Sequence, residues 1–298
     1  MARFQDICCV ELKRELLSAA ECGWHSAWPG ITSSACGARV TVVSSGNILA
    51  EAVVQQVPDG TLSVLFSKSL AESTAQGVDC ILRDAREAVR NLRLRYGYVF
   101  SPPETDDWVQ PCFESAGFHA VEFIQEFRCA WTALHETTNT AATFWHSSSV
   151  PPQTTRPFSQ AAFNDLLENI IRQSADLPRL PAPTAVQLQA MWSLFDANVH
   201  VTVAMFDRQP VGVAVLSQSD LTADESVIVE YFGIHSGFRR RGIGCDLLRA
   251  ATASFCRKNS AWLTSFVAAE NFAAQSFFKA QQFELHSAQQ LWATQLIE

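Results

Sequence analysis

EYFGIHSGFRRRGIGCDLL, residues 230–248, is the stretch on which the reading of this 298-residue chain turns. It continues VIV (227–229), and the apolar, β-branched and aromatic residues up to Ile234 are those of a strand. Gly242 and Gly244 fall where an apolar helical period begins, so the strand enters a short loop and a helix starts inside it. Backbone N–H groups at a helix start lack intrahelical partners and sit at the positive end of the helix dipole. The loop therefore reads as an anion cradle. Glycine lets a bulky phosphate approach the backbone, and Arg239, Arg240 and Arg241 add charge-assisted contacts. The competing reading is a helix start with an exposed basic cluster. The GxxxxGK(S/T) pattern of nucleotide-hydrolysing loops is absent, as is the GxGxxG that opens a dinucleotide fold.

Around this loop the second half alternates helices and strands. SQAAFNDLLENIIRQSA (159–175) and TAVQLQAMWSLFDA (184–197) carry helical periods, the first behind a Ser cap. VHVTVAMFD and PVGVAVLSQ read as a hairpin turning at Arg208-Gln209. A helix over about 241–258, a strand over 261–268, a helix over 272–280 and a strand over 285–294 follow. The first half has a similar order: an expected helix at 7–20, strands ARVTVVSS, NILAEAVVQQV and TLSVLFS, a helix at 78–95, a strand YGYVFS, and then CFESAGF and EFIQEFRCAW. FESAGF (113–118) falls opposite FKAQQF (278–283), and Gly77 opposite Gly242 at the same offset of 165. The chain reads as a divergent tandem repeat. Residues 137–157, rich in Thr, Ser and Pro, read as a linker between a domain at 1–136 and one at 158–298.

Arg239-Arg240-Arg241-Gly242-Ile243-Gly244 matches in full the acetyl-CoA motif Q/R-x-x-G-x-G/A of the GNAT N-acetyltransferase superfamily, which the chain resembles over about residues 155–298. The resemblance implies an α/β (α+β) fold of two GNAT-like domains, each a mixed, mostly antiparallel central sheet flanked by helices. It implies that acetyl-CoA is the co-substrate. Phe232, Gly233 and Ile234 would pair with its pantetheine arm, and the backbone from Arg240 through Ile243 and Gly244 to Cys245 would hold its pyrophosphate. Asn271, with Ala274 and Phe278, matches N-x-x-A-x-x-x-(Y/F), where the Asn contacts pantetheine or a water. Glu230 stands where members place a carboxylate. Its apolar strand neighbours would raise its pKa toward that of a general base, which the reaction needs because an ammonium has no lone pair. Phe278 replaces the Tyr that serves the family as acid, and Ser276, Cys245 or water are the substitutes. The first half has Thr74-Ala75-Gln76-Gly77-Val78-Asp79 in place of the cradle, and Asp79 opposes phosphate binding there.

The expected activity is N-acetyl transfer, an acyltransferase reaction, to an amine of a small molecule or peptide. The alternative is a non-catalytic acyl-CoA-binding or protein-interaction module. The formal charge of −8, divided as −6 over residues 1–150 and −2 over 151–298, argues against nucleic acid and membrane as partners. It leaves the positive charge local to Arg239, Arg240 and Arg241. Nine cysteines without CxxC or zinc spacing read as free thiols, no metal is expected, and an opening rich in charge is unlike a signal peptide. The expected location is cytoplasmic.

Overall fold

The computed structural model describes residues 10–17, 37–57, 61–66, 70–101, 107–130, 141–147, 157–173, 180, 182–193, 199–218, 226–255 and 262–294. The first copy runs β1 (Val10–Leu17), β2 (Gly37–Ser44), β3 (Asn47–Val57), β4 (Thr61–Phe66), α1 (Ala75–Asn91), β5 (Tyr96–Ser101), α2 (Val109–Ser115) and β6 (His119–Ala130). The second runs β7 (Thr143–His146), α3 (Gln160–Arg172), α4 (Ala185–Ser193), β8 (Val199–Phe206), β9 (Gln209–Gln218), β10 (Ser226–Ile234), α5 (Ile243–Ser254), β11 (Trp262–Ala268), α6 (Phe272–Ala280) and β12 (Glu284–Thr294). The repeat is structural as well: β4 and β10 begin at residues 61 and 226, and β6 and β12 at 119 and 284, both offsets of 165.

All the strands join one twelve-stranded sheet in the order β1-β2-β3-β4-β5-β12-β6-β11-β10-β9-β8-β7. Two neighbouring pairs are parallel, β4·β5 across α1 and β10·β11 across α5. The tight hairpins match in both copies. Ser45-Gly46 joins β2 to β3 and Asp207-Arg208 joins β8 to β9, all four residues at positive φ as a type I′ turn requires.

The order of strands exposes an exchange. β6 closes the first copy in sequence, but its Ile124–Ala130 part pairs with β11 of the second, from Trp262↔Ala130 to Ala268↔Ile124. β12 closes the second copy but pairs with β5 of the first, from Gln290↔Ser101 to Thr294↔Gly97. β6 and β12 then pair with each other at the centre. The cores follow the strands. Trp292 of β12 is buried in the first core, its ring centroid 5.0 Å from that of Phe113 and its Nε1 donating to Ser101 Oγ at 2.9 Å. Phe127 and Cys129 of β6 are buried in the second core against Leu247, Leu248 and Leu263.

Two expectations fail here. The segment expected to be helical at 7–20 forms, in its described part, the edge strand β1, paired with β2 from Val10↔Ser44 to Leu17↔Gly37. VELKRELL is made of good helix formers, but Leu12 packs on the first core while Glu11, Lys13, Arg14 and Glu15 are exposed, a charged edge that discourages further pairing. The expected linker contains β7, whose half-buried Phe144 and Trp145 pair it with β8. The remainder of that segment, apart from residues 141, 142, 147 and 157, lies outside the described residues.

Because Trp292 fills the first core from the second copy's chain, Trp292→Ala is expected to destabilise the whole protein by about 3–5 kcal/mol. Urea unfolding followed by circular dichroism should still show one transition; two separate transitions would contradict the exchange.

Candidate active site

The candidate site is a wedge in the sheet. β10 and β11 pair only from Ser226↔Trp262 to Val229↔Ser265. Beyond that point β10 continues on β9 to Ile234 and β11 continues on β6 to Ala268, so the two strands part company. The break coincides with a bulge in β10: Val229 stands opposite Leu216 and Tyr231 opposite Val215, leaving Glu230 extra. A bulge bends its strand and increases its twist. It also carries Glu230 and Tyr231 to the same face: Tyr231 packs with the α3 cluster, and Glu230 meets Ser217, which stands opposite Ile228.

The wedge opens a cleft of about 760 Å³ that passes through the sheet. On one face Ile170 of α3 and Gln173 at its C-cap border it with Tyr231 and Phe266; on the other lie the start of α5 and the wall of α6. Gly233 is small because α3 is close: a Cβ there would come within 2.4 Å of Ile170 Cγ2.

The loop before α5 is shaped by its own backbone. A 3-10 turn at Ser236–Phe238 follows β10, and Gly237 N–H donates to His235 Nδ1 at 3.1 Å. Arg239 Nε donates to Ile234 O at 3.0 Å, and Arg241 lies over the Phe238 ring. Arg240 and Gly242 take φ of +61° and +80°. A non-glycine residue at positive φ carries a cost of about 1–2 kcal/mol, a kind of strain that concentrates at functional sites. Gly242 occupies the N-cap of α5 with no side-chain cap hydrogen bond, so the first-turn amides of Ile243, Gly244 and Cys245 are not capped by it. Arg239, Arg240, Gly242, Gly244 and Cys245 all line the cleft.

The first copy closes the same place. Thr74 Oγ1 accepts from Gly77 N at 3.1 Å and caps α1. Gly77 is glycine for packing rather than for ligand access, since a Cβ there would lie 2.8 Å from Leu49 C and 2.9 Å from Ala50 Cβ. Asp79, one turn into the helix, accepts from Arg83 Nε at 2.8 Å and from Ser115 Oγ at 3.1 Å.

Of the other candidates, Phe232 stacks on Phe277 with centroids 4.9 Å apart, and Ile234 is buried in the second core. Asn271 is the N-cap of α6, its Oδ1 accepting from Ala274 N at 3.1 Å, and it lines the cleft. Phe278 is buried between Phe277 and Phe283, so the tyrosine position is apolar. Ser276 and Cys245 both reach the cleft, and Cys245 Sγ accepts from Gln281 Nε2 at 3.3 Å. Cys80, Cys112, Cys129 and Cys245 are free thiols. Among the described residues no group of three or more His, Cys, Asp or Glu side chains could hold a metal ion, and no helix is long and apolar enough to cross a membrane.

Glu230 sits where the wedge closes. Burial is the main influence on its carboxyl and pushes its pKa up, while the hydrogen bond from Ser217 Oγ, at 2.5 Å from Oε1, acts in the opposite direction. Ser217 escapes a motif-based reading. Its one sequence signal is that a hydroxyl shares the inward period of Val213 and Val215.

The candidate site thus combines a wedge between parallel strands, a helix start without a side-chain cap on one side and the half-buried Glu230 at the apex. Residues 197–285 match the family model described as acetyltransferase (GNAT) domain. The second copy thus carries a GNAT domain, and the chain as a whole has the fold of tandem GNAT proteins. It is similar to a tandem GNAT protein from the clavulanic acid biosynthesis pathway, with 13% identity, TM-score 0.61 and coverage of 96% of this chain and 98% of that one. It is also similar to a GCN5-related N-acetyltransferase from Sphaerobacter thermophilus (16% identity, TM-score 0.56, covering 90% and 83%). A third similar structure is a GCN5-related N-acetyltransferase from Kribbella flavida (14%, TM-score 0.55, covering 83% and 86%). At these identities the likeness is one of fold. No curated protein matches the sequence significantly.

The raised pKa of Glu230 has a stability consequence. The folded protein holds this proton more tightly than the unfolded chain, so stability falls as pH rises from the ordinary Glu value, about 4.3, through the folded value. Glu230→Gln retains an oxygen for Ser217 and cannot ionise. It is expected to be more stable than wild type near about pH 8, with the gain fading toward about pH 4. Denaturant titrations across that range check this, and a gain independent of pH would contradict it.

Proposed function

We propose that the protein transfers an acetyl group from acetyl-CoA to the amine of a small molecule or peptide, using the second copy as the catalytic domain. The observation that carries this reading is the half-buried Glu230 at the apex of a cleft whose other end is an uncapped, arginine-flanked helix start. The amides of Ile243, Gly244 and Cys245 suit the pyrophosphate. Arg240 and Arg241, exposed on the loop, supply charge, while Arg239 is spent partly on holding the loop to Ile234 O. The edge of β10 from Phe232 to Ile234, no longer paired with β11, offers backbone groups to the pantetheine arm. Asn271 shapes the same wall by fixing the start of α6.

Acetyl-CoA supplies the activated carbonyl. Glu230 takes a proton from the acceptor ammonium, and the freed lone pair forms the N–C bond. The C–S bond then breaks; the nitrogen gives the second proton it carries after attack to water, and water protonates the departing thiolate, since Phe278 has none to give. A thiol pKa near about 8.5 makes this departure feasible without a protein acid.

Calorimetric titration with acetyl-CoA tests the cradle. Gly242→Asp adds a Cβ and a negative charge at the helix start, and is expected to weaken binding about tenfold or more. Equal binding by both proteins would end the cradle assignment. Glu230→Gln is expected to lower kcat about 10²–10⁴-fold in acceptor-dependent thiol release, with binding of acetyl-CoA retained.

The apolar Phe278 favours one second reading, a domain that binds acyl-CoA without turnover. Binding of acetyl-CoA with no thiol release across a broad amine panel would select it.

A further inference from the structure

We propose that Ser217 is a positioning residue for Glu230, its buried hydroxyl fixing one carboxylate oxygen so that the other is presented for proton transfer. The inference rests on the proposed role of Glu230 and adds to it a residue from a different strand.

Ser217 is near the end of β9 and 4% exposed. Its strand partners are Val199 on β8 and Ile228 on β10, both apolar, so neither neighbour in register offers a side-chain hydrogen-bond acceptor. The bulge brings Glu230 Oε1 within 2.5 Å, and Ser217 Oγ donates to it. A carboxylate has two oxygens; with Oε1 engaged, Oε2 is the one left to take a proton. Bonding to the ionised form also offsets the burial that disfavours it. Ser217 keeps its own proton throughout.

Among the described residues, Ser217 is the side chain whose hydroxyl hydrogen-bonds Glu230. Ile170 of α3 and Gln173 at its C-cap, Ser265 and Phe266 of β11 and Tyr231 of β10 also line the cleft. The charged side chains of the cleft besides Glu230 are Arg239 and Arg240, which belong to the cradle loop. On β6, beyond β11, Glu126 and Arg128 pair with each other. Among the described groups, burial and the Ser217 hydroxyl are the influences that set the Glu230 carboxyl.

The test follows the Glu230 carboxyl directly, by NMR titration of protein carrying δ-13C-glutamate, with the resonance assigned through Glu230→Gln. Ser217→Ala is expected to raise the midpoint by about one pH unit or more, and Ser217→Thr, which keeps the hydroxyl, to leave it near wild type. Ser217→Val, the isostere of Thr, separates the hydroxyl from packing and is expected to behave as Ser217→Ala. The rising limb of kcat/KM against pH should move with the midpoint while KM for acetyl-CoA stays fixed. An unmoved midpoint in Ser217→Ala and Ser217→Val overturns the inference and leaves the role of Glu230 standing. Full turnover in Glu230→Gln overturns that role instead, and the positioning role with it.

Discussion

The antiparallel pairing of β6 with β12 is the constraint from which the rest of the molecule follows. It places the last strand of each copy inside the other copy's sheet, and so decides which strand holds β11. Over its whole length β11 is bonded to β6, a strand of the first copy, whereas β10 follows β9. Two parallel strands bound to different partners diverge once the bulge at Glu230 turns one of them. The cleft is thus a product of both copies, although the residues that line it all come from the second.

The copies differ most where a helix begins. α1 is capped by Thr74 and pressed onto β3 by Gly77; α5 begins on a left-handed Gly242 without a side-chain cap. A fold that leaves backbone donors uncapped at one helix start and satisfies them at the equivalent one has separated two jobs. One start is closed and contributes to packing, and the other is left open to the cleft. The acidic balance of the first copy is consistent with this division, since none of its charge needs to accommodate an anion.

Much of this was legible from local pattern. The strand, loop and helix start around Gly242, the hairpin of β8 and β9 with its turn one residue earlier than expected, the helices over 159–175 and 272–280 and the repeat offset all rest on turn residues or periodicity that tertiary context did not override. VELKRELL was misread because helix propensity is a weak prior beside pairing with β2 along eight residues. β7 hid in a polar segment because its apolar content is two residues, Phe144 and Trp145. The bulge left no mark in the sequence, as a bulge is a relation between two strands, and with it went the partnership of Ser217 and Glu230. Asn271 was expected at the site and lines the cleft, but its capping of α6 is visible only where the helix starts.

The exchange of closing strands also sets the order in which this protein can be made. Ser101 on β5 meets its partner Gln290 only after 189 further residues have been synthesised. Until then the first copy on the ribosome has an open strand edge at β5 and lacks Trp292 in its core, while β6 waits for β11. Such long-range closure slows folding and leaves pairing edges exposed for the duration. A nascent first copy therefore cannot settle on its own, and its maturation is tied to the emergence of β12.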